Sequence, residues 1–209
     1  LAYNNLGLIY FNHKNDIKKS ENYYKKSIFL DPKLPEPHIN LGSLYSSQQK
    51  FKEALASYKK AISINNKISQ AYHNIGNVYI AIGNFEDAKK NFRKAIELNT
   101  SDTNSMRALS RLITFKNEND LDFCNLSKTY NQTKTENHEN KINLAFSLGK
   151  AYEDIKNYNK SFKFYKEANF LTRKKINFSI LHEKNFFSEI KKTYNTTIFE
   201  KYKKFGNKT

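Results

Sequence analysis

Apolar residues return along this chain at the third, fourth and seventh places. Tyr3, Leu6 and Tyr10 share one stripe of an amphipathic helix, and Tyr24, Ser27 and Ile28 share the stripe of a second. The pair predicts a helical hairpin. It recurs as His38, Leu41 and Tyr45 followed by Tyr58 and Ala61, then as Tyr72, Ile75 and Tyr79 followed by Phe92 and Ala95. Gly42 and Gly76 are 34 residues apart, as are Ala54 and Ala88, and the first copy carries one extra residue. A fixed period of this length is the mark of a repeat architecture. Gly7, Gly42 and Gly76 fall in mid-helix, where glycine costs about 1 kcal/mol against alanine, so the second helix is expected to approach closely there. Ala54 and Ala88 supply matching small positions, and Gln49-Lys50 and Gly83-Asn84 supply turns. One such hairpin cannot bury its own apolar face, so the prediction is a stack.

Three units are expected at 1–33, 35–67 and 69–101. A degenerate repeat and polar loop follow at 102–140, with a first helix from Met106 to Ile113, Ser110 in place of glycine, and a second helix from Leu121 to Tyr130. A further unit over 141–175 restores the pattern as Leu148-Gly149, Tyr152, Ser161, Tyr165 and Ala168. A capping helix is expected at 176–195, with Ile180, Phe187, Ile190 and Tyr194 on one face, and a basic tail or linker at 196–209. The chain opens inside a helix without Met, and is expected to be an excised fragment.

The landmarks (a large residue, Leu-Gly, Tyr, Ala, Phe/Tyr, Ala and the closing Asp31-Pro32) resemble those of the tetratricopeptide repeat (TPR) family. The resemblance implies an all-α, right-handed solenoid of stacked helix hairpins, closed here by the C-terminal capping helix. It also implies that the first helices of successive repeats line a concave groove holding a protein or peptide. Asn5, Asn40 and Asn74 then form a ladder of amides able to hold a peptide backbone, a ladder similar to that of TPR-containing glycosyltransferases. Asn4, Ile39 and His73, with Leu8, Ser43 and Asn77, are the neighbouring groove positions. The family's chaperone-binding members grip a terminal carboxylate with Lys and Arg. The matching positions here hold Asn4, Leu8, Asn40, Ser43, Gln70 and Asn74, so a carboxylate-clamp partner is not expected.

A second resemblance covers roughly residues 104–207. The strings 106–112 and 144–154, the triplet Arg173-Lys174-Lys175, and Phe205-Gly206-Asn207 are similar to the N-terminal region of bacterial TPR–sulfotransferase fusion proteins. That family's donor-binding loop would come after Phe205-Gly206-Asn207, so no donor site or catalytic residue carries over. The likeness implies a substrate-selecting arm of a larger enzyme.

Composition changes this picture little. The net charge is +16, with 36 Lys and Arg against 20 Asp and Glu, but only four of the cations are Arg and 28 residues are Asn. That bias is what an AT-rich coding sequence supplies, whereas nucleic-acid surfaces cluster Arg. Specific nucleic-acid binding is not expected; the alternative is a basic polyanion-binding module working through the segment 172–209, the densest in cations. One cysteine, Cys124, excludes an internal disulfide, and no apolar run reaches the roughly 20 residues that span a bilayer. The five histidines form no metal-ligand pair, and the glycines stand at packing intervals rather than in a phosphate loop. Cys124, beside Phe123, reads as a small buried apolar residue. No catalytic residue, metal or cofactor is expected in this chain, and its compartment is expected to be the cytoplasm.

Overall fold

A computed structural model describes residues 1–134, 136 and 138–175, together with 184, 185, 188, 189 and 192. The described residues hold ten helices and no strand: α1 (Ala2–Asn12), α2 (Ile17–Leu30), α3 (Pro35–Ser47), α4 (Phe51–Ile64), α5 (Ser69–Ala81), α6 (Phe85–Leu98), α7 (Thr103–Ser110), α8 (Leu121–Gln132), α9 (His138–Asp154) and α10 (Tyr158–Lys175). The chain divides into two compact units, Leu1–Ala168 and Asn169–Thr209. In the second, the last residues of α10 and the described positions between 184 and 192 are helical. The expected capping helix, with its face Ile180, Phe187, Ile190 and Tyr194, and the basic tail lie outside the described residues.

In the first unit, α1 pairs with α2, α3 with α4 and α5 with α6, and each second helix then packs on the next first helix. The glycines are explained by what faces them. A Cβ at Gly7 would stand 2.5 Å from the ring of Tyr24, at Gly42 2.6 Å from Tyr58, at Gly76 2.6 Å from Phe92 and at Gly149 2.8 Å from Tyr165. No side chain fits under those rings. The small residue one turn earlier on the second helix meets the same glycine from below: where it is serine, Ser20 and Ser161 donate Oγ hydrogen bonds to the carbonyls of Gly7 and Gly149 (2.9 and 2.8 Å). Ala54 and Ala88, the equivalents in the middle units, are fully buried. Tyr165 also donates to Glu153 (2.8 Å), and burial with that carboxylate pushes its hydroxyl up to about 12.

Each regular hairpin turns on one residue of positive φ: Asn15 (49°), Gln49 (61°), Gly83 (77°) and Lys156 (62°). Only Gly83 meets that requirement without a Cβ penalty. The extra residue of the first unit lies between Gly7 and Asn15, so α1 and α2 are joined by the longest of these turns. Asp16, Asn84 and Asp102 cap α2, α6 and α7 by accepting from the backbone N–H three residues on. Pro35 opens α3, where its missing N–H costs nothing.

The degenerate stretch departs from the hairpin scheme. Both helices are present, but the first, expected from Met106 to Ile113, starts earlier at the Asp102 cap and ends at Ser110, leaving Ile113 beyond it; α7 packs on α6 and α9, while α8 packs on α9. Phe115 of the connecting segment is buried in the core of this stretch. Phe115 meets Phe123 edge-on (6.1 Å between centroids), and Phe123 meets Tyr152 (5.2 Å). Met106, Leu126, Leu144 and Leu148 complete this core. The polar loop expected over 131–140 is shorter, since α8 runs to Gln132 and α9 starts at His138. Lys141 spans it, donating to the carbonyls of Tyr130 (2.7 Å) and Thr133 (3.3 Å) at the negative end of α8. Cys124 is a correction: it is exposed, because Phe123 and Leu126 occupy the core-facing side of α8 and the next position points outward.

His38 occupies the large-residue landmark of its unit, buried, with Nε2 lacking a hydrogen-bond partner. Burial, and Lys60 nearby, hold its pKa below the ordinary histidine value. The unfolded chain therefore takes up protons at about pH 6.5, before the folded chain does. Stability is full above that pH and is lost as the pH falls through the folded pKa. The urea midpoint is expected to drop between about pH 7.5 and 5.5, and His38→Tyr, matching Tyr3 and Tyr72, is expected to flatten that drop. Identical slopes in the two proteins would remove His38 from the pH response.

Candidate functional site

The first helices α1, α3, α5, α7 and α9 are joined side to side by polar side chains. Asn40 on α3 donates from Nδ2 to Oδ1 of Asn4 on α1 (2.8 Å). Asn74 on α5 reaches Ser43 Oγ on α3 (3.5 Å), which also accepts from the Tyr58 hydroxyl (3.2 Å) and donates to the Ile39 carbonyl (3.1 Å). His73 Nδ1 on α5 lies 2.8 Å from Ser105 Oγ on α7. Arg107 on α7 donates to Asn143 Oδ1 on α9 (2.9 Å), and Asn143 donates in turn to Asn104 Oδ1 (2.8 Å). A belt of amides and hydroxyls thus crosses all five helices.

The nine sequence-derived positions divide by depth. Asn5 and Asn77 are exposed; Leu8, Asn40, Ser43, His73 and Asn74 are half-buried; Asn4 and Ile39 are buried. Asn4 lies under the belt as the acceptor for Asn40, and Ile39 packs into the core of α4 and α5. Asn40 is therefore committed to a neighbour; Asn74 and Asn77 each engage one as well, through Ser43 and His73, while Asn5 and Asn77 are exposed to solvent.

His73, Ser105 and Asp102 bring together the side-chain types of a hydrolytic triad, but the wiring runs the other way. Asn77 Nδ2 faces His73 Nε2 at 2.9 Å, so the ring's proton sits on Nδ1 and points to Ser105 Oγ. Ser105 then spends its own proton on Asp102 Oδ2 (2.6 Å). A nucleophilic serine must instead give its proton to the histidine. Ser105 is also fully buried. Burial holds the His73 pKa below the ordinary value, partly offset by Asp102, and its ring stands 5.6 Å from that of Phe92. The cluster locks α5 to α7. Among the described residues no group of three or more His, Cys, Asp and Glu could hold a metal ion. None of the described helices is long and apolar enough to cross a membrane.

Two features escaped the sequence reading. One is a cleft of about 770 Å³ between α6, the α7–α8 connection and α8, floored by Ile96, Met106, Ile113 and Phe115. Arg93 on α6 reaches Asp122 on α8 across it (2.9 Å). Its signal was the loss of the Ala and Phe/Tyr landmarks in the degenerate unit, which removes the contacts that close a hairpin. The other is Arg107 with Arg111, set on the belt of α7. Their signal was the choice of arginine in a chain that otherwise uses lysine.

Stacked helix hairpins with a polar belt along their first helices define a helical-repeat solenoid. The tetratricopeptide repeat family models match residues 1–34, 34–101 and 142–169, together more than half of the chain. The chain belongs to the tetratricopeptide repeat family. Among solved structures it is similar to MamA (TM-score 0.57, 23% identity, covering 79% of this chain and 94% of that one). It is also similar to YrrB, a TPR protein described as having an unusual peptide-binding site (TM-score 0.58, 18% identity, 81% and 84% covered). A third is the first TPR of Spaghetti (RPAP3), solved bound to the HSP90 peptide SRMEEVD (TM-score 0.51, 24% identity, 53% and 89% covered). At these identities the likeness is one of fold. Among curated proteins none matches this chain in sequence.

Proposed function

We propose that this chain is a non-catalytic scaffold that holds a protein segment, as an extended peptide, in the concave groove lined by its first helices. The observation that carries this reading is the belt itself. Amide and hydroxyl groups follow one another from α1 to α9, and the exposed amides of Asn5 and Asn77 offer the hydrogen-bonding groups that a peptide backbone requires. Peptide binding in two structural neighbours supports it. A chaperone C-terminus does not suit the groove, because Asn4, Leu8, Asn40, Ser43, Gln70 and Asn74 offer no cation at the clamp positions. The sulfotransferase likeness of residues 104–207 supports a place for this scaffold beside a catalytic domain, which the gene sequence beyond Thr209 tests.

The test of the groove is a peptide selected from a random library on the immobilised protein and measured again on the double variant Asn5→Ala/Asn74→Ala. Each lost hydrogen bond is worth about 1 kcal/mol, so affinity is expected to fall several-fold per residue with thermal unfolding little changed. Unchanged affinity would remove the amide wall from the account, and a library yielding no binder would remove the groove. Asn40→Ala is a poorer probe, because it strands the buried Asn4 oxygen and destabilises the fold as well.

A further inference from the structure

We propose that Arg107 and Arg111 anchor an acidic side chain of the bound peptide, so that the α7–α9 part of the groove reads a carboxylate. The proposal rests on the groove reading above and names the ligand chemistry it selects.

Four arginines occur among 36 basic residues, and two of them stand one helical turn apart at the end of α7. They flank Ser110 at minus three and plus one, the registers held by Asn4 and Leu8, Ile39 and Ser43, and His73 and Asn77 around the glycines of the earlier units. In a lysine-biased chain, arginine is placed where its planar fork matters; a lysine ammonium is a point charge, whereas a guanidinium grips a carboxylate through two parallel bonds.

Arg107 is held ready. Its Nη1 donates to Asn143 Oδ1 at 2.9 Å, and its guanidinium lies 4.5 Å from the centre of the Phe146 ring. It is half-buried, and burial together with the neighbouring Arg111 pushes its pKa down. A desolvated cation next to a second cation is an unfavourable arrangement unless an anion completes it. No carboxylate within the described residues does so: none of their ion pairs includes Arg107 or Arg111. The carboxylates around this stretch are engaged elsewhere, Asp102 with Ser105, and Asp154 with Lys150 and the Phe115 N–H. Lys150 of α9 is committed to Asp154 and the Ile113 carbonyl. Asn143, which accepts from Arg107, and Asn104, bonded to Asn143, carry no charge. The pair therefore presents a preformed, uncompensated anion site on the groove wall. These two arginines repeat the register of Asn4 and Leu8 but stand in the fourth unit, away from the first three units that hold the clamp positions, so the carboxylate they suit belongs to a side chain within a peptide running through the groove.

The experiment uses the whole chain and two fluorescein-labelled extended peptides of Ala, Ser and Asn, one with a central Asp-Glu and one with Asn-Gln in its place. The acidic peptide is expected to bind about tenfold tighter, with the difference shrinking as salt is raised. Arg111→Gln, which removes an exposed side chain, and Arg107→Lys, which keeps the charge but not the fork, should each erode that preference. In Arg111→Gln, whose side chain takes no part in the belt, the affinity for the Asn-Gln peptide should stay as it was. Equal binding of the two peptides by the unaltered protein would overturn the anchor and leave the groove standing; binding of neither would overturn both. Displacement of the acidic peptide by polyuridylate at equal strength, lost in the same variants, would make this a phosphodiester site and overturn the peptide reading. A phosphoserine peptide bound in preference to the Asp-Glu peptide would overturn the carboxylate assignment.

Discussion

A single methyl group added at Gly76 is expected to destabilise the fold by about 1–2 kcal/mol, although alanine is the better helix former by about 1 kcal/mol. The added Cβ would stand 2.6 Å from Cε1 and 2.8 Å from Cζ of Phe92. The ring has no room to retreat, being fully buried and held against His73. Overpacking therefore wins over propensity. The compensating experiment is Gly76→Ala made in a Phe92→Leu background. There the clash is gone, and the same substitution is expected to stabilise by about 1 kcal/mol. A change of sign between the two backgrounds, measured by urea unfolding, identifies the ring as the reason for the glycine. A stabilising effect in both would show that the ring yields, and that close approach does not explain the residue.

Phe123→Ala carries the largest expected loss, about 3–5 kcal/mol, because it removes the ring that joins Phe115 to Tyr152 in the core of the degenerate unit. The loss should be local. In a stacked array each element is stabilised by its neighbours, and α8 lacks the hairpin partner that its counterparts α4 and α6 have. Hydrogen exchange followed by mass spectrometry is expected to show residues 121–132 losing protection first, while α3 to α6 keep theirs. An even loss along residues 1–168 would mean that the unit opens as one cooperative block, and that the missing pairing has no energetic consequence.

The regular units were legible because their grammar is local. Gly42 and Tyr58, or Gly76 and Phe92, lie within one hairpin, so period and residue size together announce the contact. The belt was only half legible. Position counting sets Asn5 beside Asn40 and Asn74, but stacked helices are offset, and the bridges join Asn4 to Asn40, Ser43 to Asn74 and His73 to Ser105. That offset is a property of the stack and is written in no single repeat. Cys124 shows the same limit on a smaller scale, since a step of one residue turns a helix position through about 100° and carries it from core to solvent. The cleft was illegible for a further reason. It is lined in part by Ile113 and Phe115, residues of a connecting segment, and connecting segments have no period to read.

The interruption between α6 and α8 has a mechanical meaning. The layer of first helices continues through this region by the contact of α7 with α9, whereas the layer of second helices is bridged across the cleft by Arg93 and Asp122. Because α7 and α8 do not pair as a hairpin, bending within residues 1–168 is expected at this joint first. An exposed ion pair resists such bending only weakly, and less as salt is added. The stiffness of this joint is therefore expected to fall as ionic strength rises.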